Sequence, residues 1–159
     1  MRIATGIGQD SHRFEPAATG KPLLIGGVRF DGAPALDGNS DADVLLHALV
    51  NAITGIHGVV VLGPATDAMC KAGVTDSAEY VKEALKHLAP GRLNHVSCSL
   101  ECSRPKIGPQ VEAMRKRVAE LLGLADAQVA VTAHSGEGLS AYGRGEGILA
   151  TVIVTAEIP

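Results

Sequence analysis

Asp10 and His12 stand two residues apart in the stretch "GIGQDSHRF", residues 6–14, with Arg13 directly after them. Successive side chains of a β-strand alternate faces, so a carboxylate and an imidazole at i and i+2 point the same way and can reach one ion or one phosphate together. The pair alone is equally well served by an Asp turn beside a partly exposed histidine, and only a third group makes it a site. His47 lies amid Val44, Leu45, Leu46, Ala48 and Leu49, where an inward-facing ring needs a polar partner. Two ligands from an N-terminal strand and one from a helix form an Asp/His/His set with the fourth position open, the arrangement of catalytic rather than structural zinc. Spacing alone leaves His57, His95 and His134 as equal candidates for the third ligand.

The elements that must position these groups follow from the apolar pattern and its punctuation. Residues 3–8 read as a strand, and 23–25 and 28–30 flank Gly26-Gly27 as a hairpin. Ser40 offers an N-cap, with Asp41 and Asp43 in the first turn, and "DADVLLHALVNAITG" runs as a helix to Gly55. Asp76 followed by Glu79 is a capping-box pattern opening a second helix to about Leu88; Pro109 and Gly123 bracket a third. Residues 96–102 and 128–133 read as strands, and "GILATVIVT" closes the series after the turn "YGRGEG". Helices and strands mix without strict βαβ alternation. The expected fold is therefore a single α+β domain over residues 1–159, two layers, with a mixed sheet and helices packed on one face.

Composition narrows the function classes. The chain has 159 residues, 46% of them hydrophobic, enough for one sizeable core, and with two Tyr, two Phe and no Trp that core is built from Val, Leu, Ile and Ala. A formal charge of −3 and no basic block argue against nucleic acid or an anionic membrane as partner. The longest apolar runs, "VVVL" and "ILATVIV", fall far short of the ~20 residues of a membrane span, and "MRIATGIGQD" has no signal-peptide pattern, so a cytoplasmic protein is expected. Cys70, Cys98 and Cys102 show no CxxC spacing, against a disulfide framework or a thiolate zinc site.

"DSH" at 10–12, "NSDADVLLHA" at 39–48, "RPKI" at 104–107 and "GEGLSAYGRGEGI" at 136–148 resemble, in this order, the 2-C-methyl-D-erythritol 2,4-cyclodiphosphate synthase family of isoprenoid synthesis. The resemblance implies a homotrimer with active sites between subunits, a zinc on Asp10, His12 and His47, and a second divalent ion, Mg or Mn, on the substrate diphosphate with Glu137. It implies a phosphorus-oxygen lyase: the 2-phosphate of a CDP-activated methylerythritol attacks the β-phosphorus, CMP leaves, and a cyclic diphosphate closes. Carried onto this chain, Ser135 stands where the family has a Thr hydroxyl that stabilises the transition state. Asn39 and Ser40 fall on the phosphate-positioning segment, and Arg144 on a phosphate-side arginine near the trimer centre. Cys102, Pro105, Lys106, Ile107, His134, Ser135, Gly136 and Glu137 fall on the cytidine-phosphate pocket.

Departures are equally specific. The family's usual His is Asn39 here, and an amide donates a hydrogen bond but carries no charge. The Gly-Asp-Ile-Gly segment that holds the erythritol hydroxyls is missing, since "GIHGVVVLGPATD" has no acid before Asp67. A variant synthase is the reading adopted, beside a paralogue cyclising another CDP-activated phosphate and a trimeric cytidine-nucleotide-binding protein without catalysis.

Overall fold

The computed structural model describes every residue from Met1 to Pro159. In chain order the elements are β1 (Arg2–Arg13), β2 (Leu23–Ile25), β3 (Val28–Phe30), α1 (Val44–His57), α2 (Pro64–Lys71), α3 (Ser77–Leu88), β4 (Arg92–Glu101), α4 (Val111–Leu122), β5 (Val129–His134) and β6 (Gly147–Ile158). Four strands form one sheet in the order β1-β6-β4-β5, antiparallel except for the parallel pair β4 and β5. Alternation divides each strand: Ile148, Ala150, Val152, Val154 and Ala156 of β6 are all fully buried under the helices, while Ile153 faces the other way. Helix α1 lies across β1 and β6, α3 packs on α1, and α4 lies on β5. The opposite sheet face carries no helix, and on it Ile3, Ile7 and Ile153 are 65%, 62% and 44% exposed. The expected mixed sheet with helices on one face is thus observed, as is the single α+β domain.

Two glycines let α1 settle against β1 without intervening side chains. A Cβ at Gly6 would stand 2.0 Å from the Ala52 carbonyl oxygen, and one at Gly8 would stand 2.1 Å from that of Ala48. Backbone therefore meets backbone, and the next inward residues of the strand, Asp10 and His12, are brought within reach of His47, the residue before Ala48.

The start of α1 differs from the expected Ser40 cap. Asp43 is the N-cap, accepting from Leu46 N, and the helix runs from Val44 to His57, not from 41 to 55. Its carboxylate also accepts from Gly26 N at 2.8 Å and Gly27 N at 2.6 Å, tying the β2–β3 turn to the helix start. That turn has φ of 63° and 72° at the two glycines, conformations that side chains disfavour. Burial pushes the Asp43 carboxyl up against the opposing pull of these N–H donors. Asp41 is drawn out of the helix because its side chain serves Ser77 N and Asp43 N instead.

Other boundaries moved outward. β1 extends to Arg13, five residues beyond the expected strand, because its polar half still pairs with β6, Asp10 opposite Ala150 and His12 opposite Ile148. β4 begins at Arg92, β6 runs on to Ile158, and the helix expected over 109–123 is a short 3₁₀ turn, Gly108–Gln110, followed by α4. The 64–71 helix was not expected at all. No helix is long and apolar enough to cross a membrane.

Candidate active site

Asp10 and His12 project from the same face of β1, and His47 reaches them from α1. Asp10 Oδ2 lies 2.8 Å from His12 Nε2 and 3.1 Å from His47 Nδ1, and the two nitrogens are 3.3 Å apart. Spacing left four histidines open for the third place; His47 fills it, and His57, His95 and His134 do not. The Nδ1 of His12 donates to the Asp37 carbonyl oxygen at 2.7 Å, which turns Nε2 toward Asp10. The Nε2 of His47 lies 2.8 Å from Ser77 Oγ, turning Nδ1 the same way.

This donor set fits a metal ion. Two imidazole nitrogens and a carboxylate oxygen face one point, and a cation there satisfies all three at once. Zinc bonds of ~2.0–2.1 Å at tetrahedral angles place ligand atoms about 3.3 Å apart, close to the spacing present. Asp10, His12 and His47 are also the only three His, Cys, Asp or Glu side chains of the chain grouped closely enough for this. The electrostatics agree. Burial would raise the Asp10 carboxyl, but hydrogen bonds and charge from His12 and His47 outweigh it and bring it down to about 2. Burial would lower His12, and its bond to Asp10 and that carboxylate's charge lift it above its ordinary value. Each partner favours positive charge at the centre.

A cavity of about 280 Å³ opens over the triad, and both Asn39 and Ser40 line it. Ser40 Oγ accepts from Ala42 N at 3.1 Å. Lining residues that were not anticipated include Asp67 and Cys70 on α2 and Tyr80 on α3. Asp67 is the one carboxylate of this wall besides Asp10. Its signal was present in the chain, a Pro at the first helical position followed by an acid in the first turn.

The residues expected to hold cytidine phosphate gather at the C-terminal ends of the parallel pair β4 and β5. Cys102, Pro105, Lys106, Ile107, His134 and Ser135 line a second cavity of about 320 Å³. Cys102 N donates to the His134 carbonyl oxygen at 3.1 Å, holding the two strand ends together. Gly136 and Glu137 continue the turn with φ of 77° and 52°, and Glu137 N donates to Ser135 Oγ at 3.2 Å. Glu137 belongs to no group of three or more His, Cys, Asp or Glu side chains that could hold an ion. Arg144 is exposed and pairs with Glu146 at 3.1 Å, not with Glu137. Cys98 and Cys102 are buried, and burial pushes their thiols up to about 12 and about 11, so both stand as small apolar residues. The metal cavity and this second cavity share no lining residue.

The family model described as YgbB family matches residues 3–157. The chain is 43% identical over 152 residues to the 2-C-methyl-D-erythritol 2,4-cyclodiphosphate synthase of Chlamydia muridarum, covering 94% of this chain and 85% of that one. Its fold matches the structure of the bifunctional IspDF from Campylobacter jejuni with a TM-score of 0.86 and 31% identity, over 98% of this chain and 42% of that larger one. A CDP-bound structure of 2C-methyl-D-erythritol-2,4-cyclodiphosphate synthase matches with a TM-score of 0.82 and 28% identity, over 97% of this chain and 100% of the other.

Proposed function

The chain belongs to the YgbB family, and from that membership we propose that it converts 4-diphosphocytidyl-2-C-methyl-D-erythritol 2-phosphate to the 2,4-cyclodiphosphate and CMP. One observation carries the reading within the structure: Asp10, His12 and His47, far apart in sequence, meet at one point with their lone pairs converging. In the reaction a 2-phosphate oxygen forms a bond to the β-phosphorus while the bond from that phosphorus to the CMP oxygen breaks, so CMP leaves with the electron pair. Both reacting groups are anionic, and the work of the protein is to hold them in line and offset their charge.

The residues that would hold zinc are Asp10, His12 and His47, and the ion would supply positive charge for the attacking phosphate. Asn39 offers a neutral hydrogen bond beside it, and Ser40 caps the loop that presents Asn39. Lys106 serves as a point charge for the nucleotide phosphates, with the backbone of Cys102, Pro105, Ile107, His134 and Gly136 around the cytidine. Ser135 offers its hydroxyl to the charge that grows at phosphorus, and Glu137 would hold a Mg or Mn ion together with the diphosphate. Asp67, which lines the metal cavity, is the acid available to the polyol hydroxyls in place of the missing segment.

A homotrimer belongs to the same proposal. Metal and nucleotide cavities lie apart within one chain, the helix-free sheet face exposes Ile3, Ile7 and Ile153, and a second copy that covers this face would bring the two cavities together with Arg144. The test is phosphorus NMR of the purified chain with zinc, magnesium and the CDP-methylerythritol phosphate, together with sedimentation. Cyclic diphosphate and CMP in equal amounts from a particle of three chains are expected. CMP without cyclic product, or full activity as a monomer, overturns the respective part.

A further inference from the structure

We propose that Ser77 and Asp41 form a relay that fixes the ring of His47 for metal binding, making Ser77 a positioning residue of the metal centre. The inference rests on the metal reading above and extends it one residue outward. Ser77 opens α3, is fully buried, and places its hydroxyl 2.8 Å from His47 Nε2. On its other side the hydroxyl meets Asp41 Oδ1, and Ser77 N donates to Asp41 Oδ2 at 2.9 Å.

Counting protons along this chain leaves one arrangement. A carboxylate only accepts, so the single hydroxyl proton of Ser77 is committed to Asp41. The serine oxygen is then an acceptor, and the hydrogen it receives is that on His47 Nε2. In the neutral ring Nδ1 of His47 is then left bare, 3.1 Å from Asp10 and 3.3 Å from His12. Ser40 Oγ, 3.4 Å from the same Nε2 and already accepting from Ala42 N, is the weaker neighbour. A histidine ligand held through its far nitrogen keeps its tautomer and ring angle, and loss of such a partner costs ~10–100-fold in metal affinity. The backbone reinforces the relay, because Asp41 N donates to the Thr75 carbonyl oxygen at 2.9 Å and so binds the loop before α1 to the start of α3.

Chelator-stripped full-length protein gives the test. Zinc affinity is measured by competition with a chromogenic chelator, the d–d absorption of the cobalt-loaded protein reports ligand geometry, and the metal-free melting temperature reports folding. Ser77→Ala should weaken zinc ~10–100-fold and alter the cobalt bands, and Ser77→Thr, which keeps the hydroxyl, should restore both to within about threefold. Asp41→Asn, which keeps the shape but not the charge, should fall between. Zinc affinity within twofold of wild type in Ser77→Ala, with only the metal-free melting temperature lowered, makes the serine structural and overturns the relay. If Ser77→Ala does not fold, Asp41→Asn decides, and an unchanged affinity and cobalt spectrum there also overturn it. Failure of the metal reading itself looks different: wild type that takes up no zinc, or His47→Ala that keeps all of it, removes the centre and the relay together.

Discussion

Around His47 the polar groups find their partners within the chain: Asp10 and Ser77 on its ring, Asp37 behind His12, Asp41 behind Ser77. Around Lys106 and Glu137 they do not. Lys106 is exposed, the side-chain hydrogen bonding of Glu137 is with Ser135 alone at 3.4 Å, and Arg144 reaches only its neighbour Glu146. The first region stands on β1, α1 and α3, whose backbones are locked by packing, while the second stands on turns that follow β4 and β5. Groups on rigid elements hold a small ion without rearrangement; groups on turns are completed by what binds them. The chain thus carries one half-site whose polar groups are satisfied within the fold and one whose polar groups are left open to what binds them.

If that contrast is right, damage to the satisfied half should be severe and should register without substrate. Asp10→Asn is the harshest case: it removes the only charged ligand, and turnover should fall a hundredfold or more with most of the bound zinc gone, read by steady-state kinetics and metal analysis. Wild-type turnover in that variant would leave Asp10 and His12 as an ordinary polar turn. Gly8→Ala forces a methyl to within 2.1 Å of the Ala48 carbonyl oxygen, and α1 must lift. A loss of about 1–3 kcal/mol in urea unfolding is expected, with weakened zinc uptake. On the open half, Lys106→Ala should raise KM for the CDP substrate about tenfold, or ~1.4 kcal/mol, with kcat and zinc content unchanged. Zinc loss there would show the halves to be coupled inside one chain.

Smallest is a pH effect on metal-free protein. Asp10 titrates near about 2 instead of 3.8, so its contribution to stability is present above pH ~4 and lost as pH falls toward 2. His12 is raised above 6.5, so its contribution is full below that value and lost as pH rises through the folded one. Metal-free protein should therefore be most stable between about pH 4 and 6.5, by on the order of 1 kcal/mol after solvent screening. Zinc affinity should move the other way, rising as His12 gives up its proton. Urea midpoints that stay flat from pH 3 to 8 would count against the pair.

Much of this was legible in the chain before its structure, and the misses have physical reasons. The β2–β3 turn, the end of α4 at Gly123 and the start of α3 at Asp76 follow from local rules, because each is set by a side chain and a backbone within a few residues. Asp43 displaced Ser40 as the cap of α1 because it also answers Gly26 and Gly27, some 16 residues away, which no local pattern contains. Residues 9–13 are polar and looked like the end of a strand, yet pairing with β6 carries them on. Asp10, His12 and His47 drew notice as residue types, but their meeting depends on the bare backbone of Gly6 and Gly8, a contact between elements. Ser77 offered nothing in sequence beyond a place after a capping Asp.

β1 lies at the edge of the sheet and its one strand neighbour is β6, the two pairing from Arg2 opposite Ile158 to Arg13 opposite Gly147. During synthesis Asp10 and His12 emerge more than a hundred residues before the Ile148 and Ala150 that pair with them, a delay on the order of ten seconds at ~5–20 residues per second. Until then the first strand has α1 to lie on but no ladder to join, and a two-residue ligand pair without a ladder has no fixed register. The pairing that closes the longest loop in the fold also fixes the register of the strand that carries Asp10 and His12. An ion bound by Asp10, His12 and His47 would fasten β1 to α1, through ligands 35 and 37 residues apart in sequence, and so hold β1 in place for β6. Metal would then act on how long the folded protein survives, by keeping the first strand seated on α1, as well as on what it catalyses.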